Sequence, residues 1–190
     1  MKKLIFLTLC IFFTSLFSSQ NVQVIMLSNN LVKIQNEYVP NHTMLKNTSN
    51  DMRALERDSK LKEFSRAAKL IDNLDAKLTS YFETSEKLYK FYIKKWEGPH
   101  YQRMDEKWKE ETYAKHREKL LLHYALTTTL QDAYNLWNEE WNKIVSETNP
   151  GKLAAALKPL NNALEKTLAD IKSKEKEASS ALKEELSSIK

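Results

Sequence analysis

Two glycines in 190 residues, each beside a proline, set the terms on which this chain can fold. Gly98-Pro99 lies near the middle and Pro150-Gly151 well after it. A chain so poor in glycine has few places to turn sharply. The stretches between the two pairs therefore read as long helices, and the pairs as their punctuation. Within Trp96-Glu97-Gly98-Pro99-His100, glycine suits the left-handed backbone that ends a helix, and proline suits the first turn of the next. Charged residues make up 29% of the chain, with Lys, Glu, Leu and Ala abundant, a balance that favours long helices and coiled coils over a thick globular core.

The apolar pattern agrees. Phe64, Ala67, Ile71, Leu74, Leu78, Tyr81, Ser85, Leu88 and Tyr92 alternate by three and four, the spacing that keeps one helical stripe toward a partner. Thr48, Ser49 and Asn50 are good caps for the start of that helix, and Asp51 suits the positive end of its dipole. Tyr113, His116, Leu120, His123, Thr127, Leu130, Tyr134, Trp137, Trp141 and Ile144 form a second seam, over a helix expected at 101–147. Two helices of about 70 Å joined at 98–100 predict an antiparallel hairpin spanning residues 49–149. A third helix is expected at 150–190, with Asn149 as its cap and Pro150 in its first turn. Pro159 should kink or restart it, and Leu160, Leu164, Leu168 and Ile171 continue its stripe. Beyond Ile171 the apolar residues shrink toward alanine, which predicts a weakly packed tail. The expected fold is all-α: a long antiparallel helical hairpin or three-helix coiled-coil bundle.

Residues 1–19 carry the pattern of a cleaved secretory signal peptide. Met1-Lys2-Lys3 supplies the positive start, residues 4–17 are almost uninterruptedly apolar, and Ser18-Ser19-Gln20 turns polar with small residues. The run is shorter than the ~20 residues a spanning helix needs. Cleavage is expected near Ser19, and the short Lys-Lys start and abrupt junction have a bacterial character. Cys10, the only cysteine, lies inside this run without the small residue before it that lipid attachment would need. Its removal leaves a chain without disulfides, held by helix packing alone. Processing also takes Lys2 and Lys3 from a formal net charge of +5. The remaining charges alternate in sign along the chain, as on a solvated helix surface, and do not form the clustered face that nucleic acid requires.

Between the leader and the first long helix, residues 20–48 read as a short helix closed by Pro40 and a polar loop over 41–50. That loop holds Asn41-His42-Thr43 and Asn47-Thr48-Ser49, both of which match the N-glycosylation pattern, although a bacterial exporter would ignore it.

Catalytic chemistry finds no foothold. Two isolated glycines cannot form a phosphate-binding loop, and a mature chain without cysteine excludes thiol catalysis and Cys-based zinc sites. His116 and His123 stand two turns apart on one seam, whereas metal-binding helices place their ligands one turn apart, so both read as structural and no metal or cofactor is expected. The aromatic residues between 81 and 141 first read as filling for a thin core. Those nearest the turn, Trp96, Tyr101 and Trp108, are also the candidates for an exposed partner-binding anchor.

These features together point to an exported, non-enzymatic helical protein that works through protein–protein contacts in the periplasm or extracellularly, with self-association as one form of contact. Signal peptide, long paired helices and a mobile loop resemble, in outline over residues 20–190, the minor pilus-associated subunits of bacterial type IV secretion and conjugation machinery. That resemblance implies a single defined protein partner and transfers no site residue. A periplasmic holdase-type chaperone is the alternative of a different class, and it predicts oligomers and apolar surface along the arms.

Overall fold

The computed structural model describes residues 21–187, and among these the chain is all helical, without strands. Helix α1 spans Val22–Ser59, α2 Lys62–Glu97, the single turn α3 Pro99–Gln102, α4 Glu106–Ile144 and α5 Pro150–Ser187. There are thus four long helices among the described residues, not three. The predicted leader, with Cys10, lies outside them.

The additional helix is α1, and it corrects the expectation of a short helix and a polar loop at 20–48. Pro40 lies inside α1 and does not end it, and residues 41–50 are helical throughout. Four of the polar side chains in this stretch, Asn41, His42, Thr48 and Ser49, are bonded to neighbouring helices. Asn41 Nδ2 donates to Gln131 Oε1 at 2.7 Å, Ser49 Oγ to Asp72 Oδ1 at 2.6 Å, and Thr48 Oγ1 lies 2.7 Å from the Tyr134 hydroxyl. Arg53 pairs with Asp72. Leu45 and Met52, at 1% and 0% exposure, bury the same face. Tertiary bonding here overrides weak local propensity and offsets the hydrogen bond that Pro40 cannot make. Both glycosylation-type triplets consequently lie within a helix, and the amide of Asn41 is engaged.

The break after α1 uses neither glycine nor proline. Lys60 alone among the non-glycine residues described takes a positive φ, 59°, and its N–H closes on Glu56 O at 2.7 Å. This left-handed cap starts α2 at Lys62, well after the expected Thr48–Asp51. At the turn the roles are reversed. Gly98 has φ −70° and ψ 146°, an extended conformation and not the left-handed one expected. Glycine is needed there for space, because a Cβ would stand 3.0 Å from the Lys95 carbonyl oxygen. Pro99 opens α3 as its position suggests, and the second long helix begins at Glu106, not near 101, where Asp105 Oδ1 accepts from Trp108 N at 2.9 Å.

Helix α2 is the one that touches α1, α4 and α5. Asn21 Nδ2 donates to Trp96 O at 2.7 Å while Ser49 meets Asp72, so α1 and α2 run in opposite directions. Helix α5 runs the same way as α2, since Asn161 bonds Glu63 and Glu175 bonds Lys77 and Tyr81. Asn149 Oδ1 caps α5 as expected, accepting from Gly151 N at 3.0 Å and Lys152 N at 3.1 Å. The helix carries on through the exposed Pro159.

The tail is better held than the shrinking side chains predicted. Ala178 is 2% exposed, and Glu175 takes an ion pair from Lys77 and a hydrogen bond from the Tyr81 hydroxyl. Burial would raise the pKa of Glu175, but the bonds from Lys77 and Tyr81 outweigh it and hold the carboxyl below its usual range.

The buried side chains form two separate clusters. The larger gathers Phe64, Ile71, Leu74, Leu130, Tyr134, Trp137 and Leu157 with their neighbours. The smaller, toward the turn, holds Leu27, Leu88, Tyr92, Trp96 and Leu120.

Candidate interaction site

At the turn, α2 delivers Trp96 one residue before Glu97 ends it, while α3 and the first turns of α4 deliver Tyr101, Trp108 and Tyr113. These rings gather around Trp96. Tyr101 meets it edge-on with centroids 5.1 Å apart, Tyr113 edge-on at 6.1 Å, and Trp108 tilted at 6.5 Å. Trp96 is 0% exposed, and its indole N–H donates to His116 Nδ1 at 3.2 Å. The Tyr92 ring stacks on the same imidazole at 4.0 Å. The expected exposed anchor of Trp96, Tyr101 and Trp108 is corrected accordingly. The three rings are brought together, but Trp96 is the hub of an internal cluster, and Tyr101 and Trp108 are half-buried around it.

The two seam histidines part company. His116 accepts from Trp96 through Nδ1 and so carries a proton no closer than Nε2. His123 is 5% exposed, its Nδ1 is buried without a hydrogen-bond partner among the described residues, and burial pushes its pKa below the ordinary 6.5. A depressed pKa means that the unfolded chain binds the proton more tightly than the folded one. Stability from this site is therefore complete above pH 6.5 and declines as the pH falls below it toward the folded value. Urea midpoints measured between pH 7.5 and 5.5 should fall on acidification, and His123→Phe should remove most of that slope. An unchanged slope would assign the acid sensitivity to other groups.

Apolar surface does exist, on α1. Val22, Ile25, Val32 and Val39 are exposed, Val39 at 62% and Val32 at 53%, with Met26 beside them. The steps 22-25-29-32-36-39 alternate by three and four, with Asn29 and Asn36 at the intervening positions. At about 100° per residue this stripe points away from Leu27, Leu45 and Met52, the positions that bury α1 against α2. Lys33 and Glu37 are the only charges from residue 22 to residue 39, in a chain where 29% of residues are charged. Sequence reasoning had the clue, because the same residues form the apolar-rich stretch after the leader. Treating Pro40 as an end hid that α1 already has a second face for its core contacts.

No helix among the described residues is long and apolar enough to cross a membrane. No family model, curated protein or solved structure matches this chain.

Proposed function

We propose that this is an exported, non-enzymatic helical protein that works by contact with another protein in the periplasm or outside the cell. The observation that carries this reading is the uncharged, heptad-spaced stripe of Val22, Ile25, Asn29, Val32, Asn36 and Val39, turned away from the rest of the molecule. Its spacing fits a helix from the partner, laid along α1 with a complementary seam. Asn29 and Asn36 would fix the register, since a buried asparagine accepts only neighbours that complete its hydrogen bonds. In this proposal α2 and α4 are the arms of an antiparallel hairpin in a coiled-coil-like bundle, a stiff back on which α1 is presented.

The leader-like residues 1–19 support export. The narrowness of the stripe favours one defined partner, as for a minor pilus-associated subunit of a type IV secretion or conjugation system. A holdase would use broader and more adaptable apolar surface.

Two measurements test the proposal. Sequencing the N-terminus of the protein recovered from its own cells should find a start at Gln20 or a neighbouring residue. An intact Met1 in the cytosol would overturn the export reading. A photo-crosslinker placed at Asn36 should yield one discrete adduct, and Val32→Asp should abolish it while changing stability by less than about 0.5 kcal/mol. An adduct that survives Val32→Asp would rule out the α1 stripe. Adduct mass and light scattering together separate a foreign partner from a second copy of this chain.

A further inference from the structure

The gap between the two core clusters is a cavity, about 50 Å³ in volume, walled by α1, α2 and α4. A buried water needs roughly 10–15 Å³ on the same measure, so several atoms' worth of space is left open. In its wall Asn41 bridges to Gln131, joining α1 to α4. The apolar side is formed by Ile34, Leu78, Phe82 and Leu120, and the Tyr38 ring lies flat against Phe82 with centroids 4.1 Å apart. Tyr89 and Tyr124 add two further aromatic rings to the lining.

The charge of this lining is unlike that of the rest of the molecule. The chain has 30 Lys and Arg residues and a formal charge of +5, yet none of those cations lines the cavity. Its ionisable groups are Glu37, Asp75 and His42, besides the tyrosines. His42 Nδ1 lies 2.7 Å from Asp75 Oδ1, which leaves the other carboxylate oxygen of Asp75 with no bond among the described residues. Glu37 has one ion pair, a loose one of 3.9 Å with the exposed Lys33. The lining itself contributes two carboxylates and one imidazole, and the one Lys or Arg paired with either carboxylate among the described residues, Lys33, stands outside it. The lining does not assemble a serine nucleophile. Ser85, the serine in the lining, is ten residues from Asp75 on α2, about 15 Å along the helix, too far to be activated by the Asp75–His42 pair.

We propose that this cavity binds a small organic cation, an ammonium group on a short aromatic or aliphatic body. The body lies on Leu78, Phe82 and Leu120, and the ammonium is held between Asp75 and Glu37 against the tyrosine faces. Aromatic rings attract cations through their quadrupole, and a partly desolvated carboxylate strengthens that attraction. An anionic ligand of the same shape would meet two carboxylates and no Lys or Arg in the lining. This site is separate from the outward stripe on α1 and does not depend on the partner-binding reading.

Three isosteric probes decide it: benzylammonium, benzyl alcohol and benzoate, titrated calorimetrically into the full-length chain. Benzylammonium should bind with a dissociation constant of about 0.1–1 mM, in keeping with the affinity per atom of small ligands. Benzyl alcohol should bind at least tenfold more weakly, and benzoate should show no saturation. Glu37→Gln, a rim substitution that leaves helicity intact, should weaken benzylammonium several-fold, and Asp75→Asn at least tenfold. Thr127→Trp, which fills the wall from α4, should block it. Equal binding of the three probes, no saturable heat with benzylammonium, or full affinity in both carboxylate variants would each overturn the proposal.

Discussion

Replacing Trp96 with alanine is expected to cost the fold about 4 kcal/mol, the middle of the range for removing a buried aromatic side chain. Trp96 has no exposed surface, and it holds three aromatic rings and the His116 imidazole in one cluster. The substitution leaves a cavity at the turn and removes the donor to His116 Nδ1. Trp108→Ala, at a half-buried position on the rim of the same cluster, should cost well under half as much. Chemical denaturation of the two variants measures the difference directly. Had these rings formed an exposed anchor, both variants would be nearly as stable as the parent and would differ only in partner binding. Near-parental stability of Trp96→Ala would therefore sink the internal-hub account.

The second large effect is expected at Asn161, on the far side of the molecule. This side chain is 0% exposed and ties three helices together. Its Nδ2 donates to Glu63 O at 3.0 Å and to Glu63 Oε2 at 3.2 Å, and its Oδ1 faces the Trp137 indole N–H at 3.4 Å. Asn161→Ala should destabilise by about 3 kcal/mol, because the first turn of α2 and the buried indole both lose a hydrogen-bond partner. Asn161→Leu should not restore the loss, although it fills the volume, since the stranded groups remain polar. Hydrogen exchange should show faster opening at the start of α2 in both variants. If leucine restores full stability, packing and not hydrogen bonding holds the three helices at this point.

The seams of α2 and α4 were legible because each uses a single stripe of large apolar residues at helical spacing. Phe64 to Tyr92 bury the residues that the periodicity picks out, and His116 to Trp141 do so except at Thr127, where Leu126 takes the buried place. The cap at Asn149 was legible for the same local reason, since the residues that make the bond stand within three positions of each other, and Pro99 in the first turn of α3 was legible from its fixed φ. Helix α1 was not. It buries Leu27, Leu45, Ser49 and Met52 over 38 residues, too sparse a pattern to be recognised, and it takes its order from side-chain bonds to α2 and α4. The break at Lys60 was equally hidden, because a lysine in the left-handed region carries no mark in the sequence.

The candidate site divides along the same line. That aromatic residues would crowd the turn follows from their positions on either side of Gly98-Pro99. Which of them stays exposed depends on how α2, α3 and α4 meet, and that contact places Trp96 at the centre. The cavity of Glu37, His42, Asp75, Phe82 and Leu120 draws on three helices whose residues lie far apart in the chain. The amino-acid order by itself determined the helical class, the long seams and the turn at Gly98-Pro99, because periodicity and capping are short-range properties. Only the tertiary structure decided that residues 41–50 are helical, that Trp96 is internal and that α1 keeps an apolar face outward. Burial and hydrogen-bond partnership are set by what packs against a helix, and spacing along one chain does not encode them.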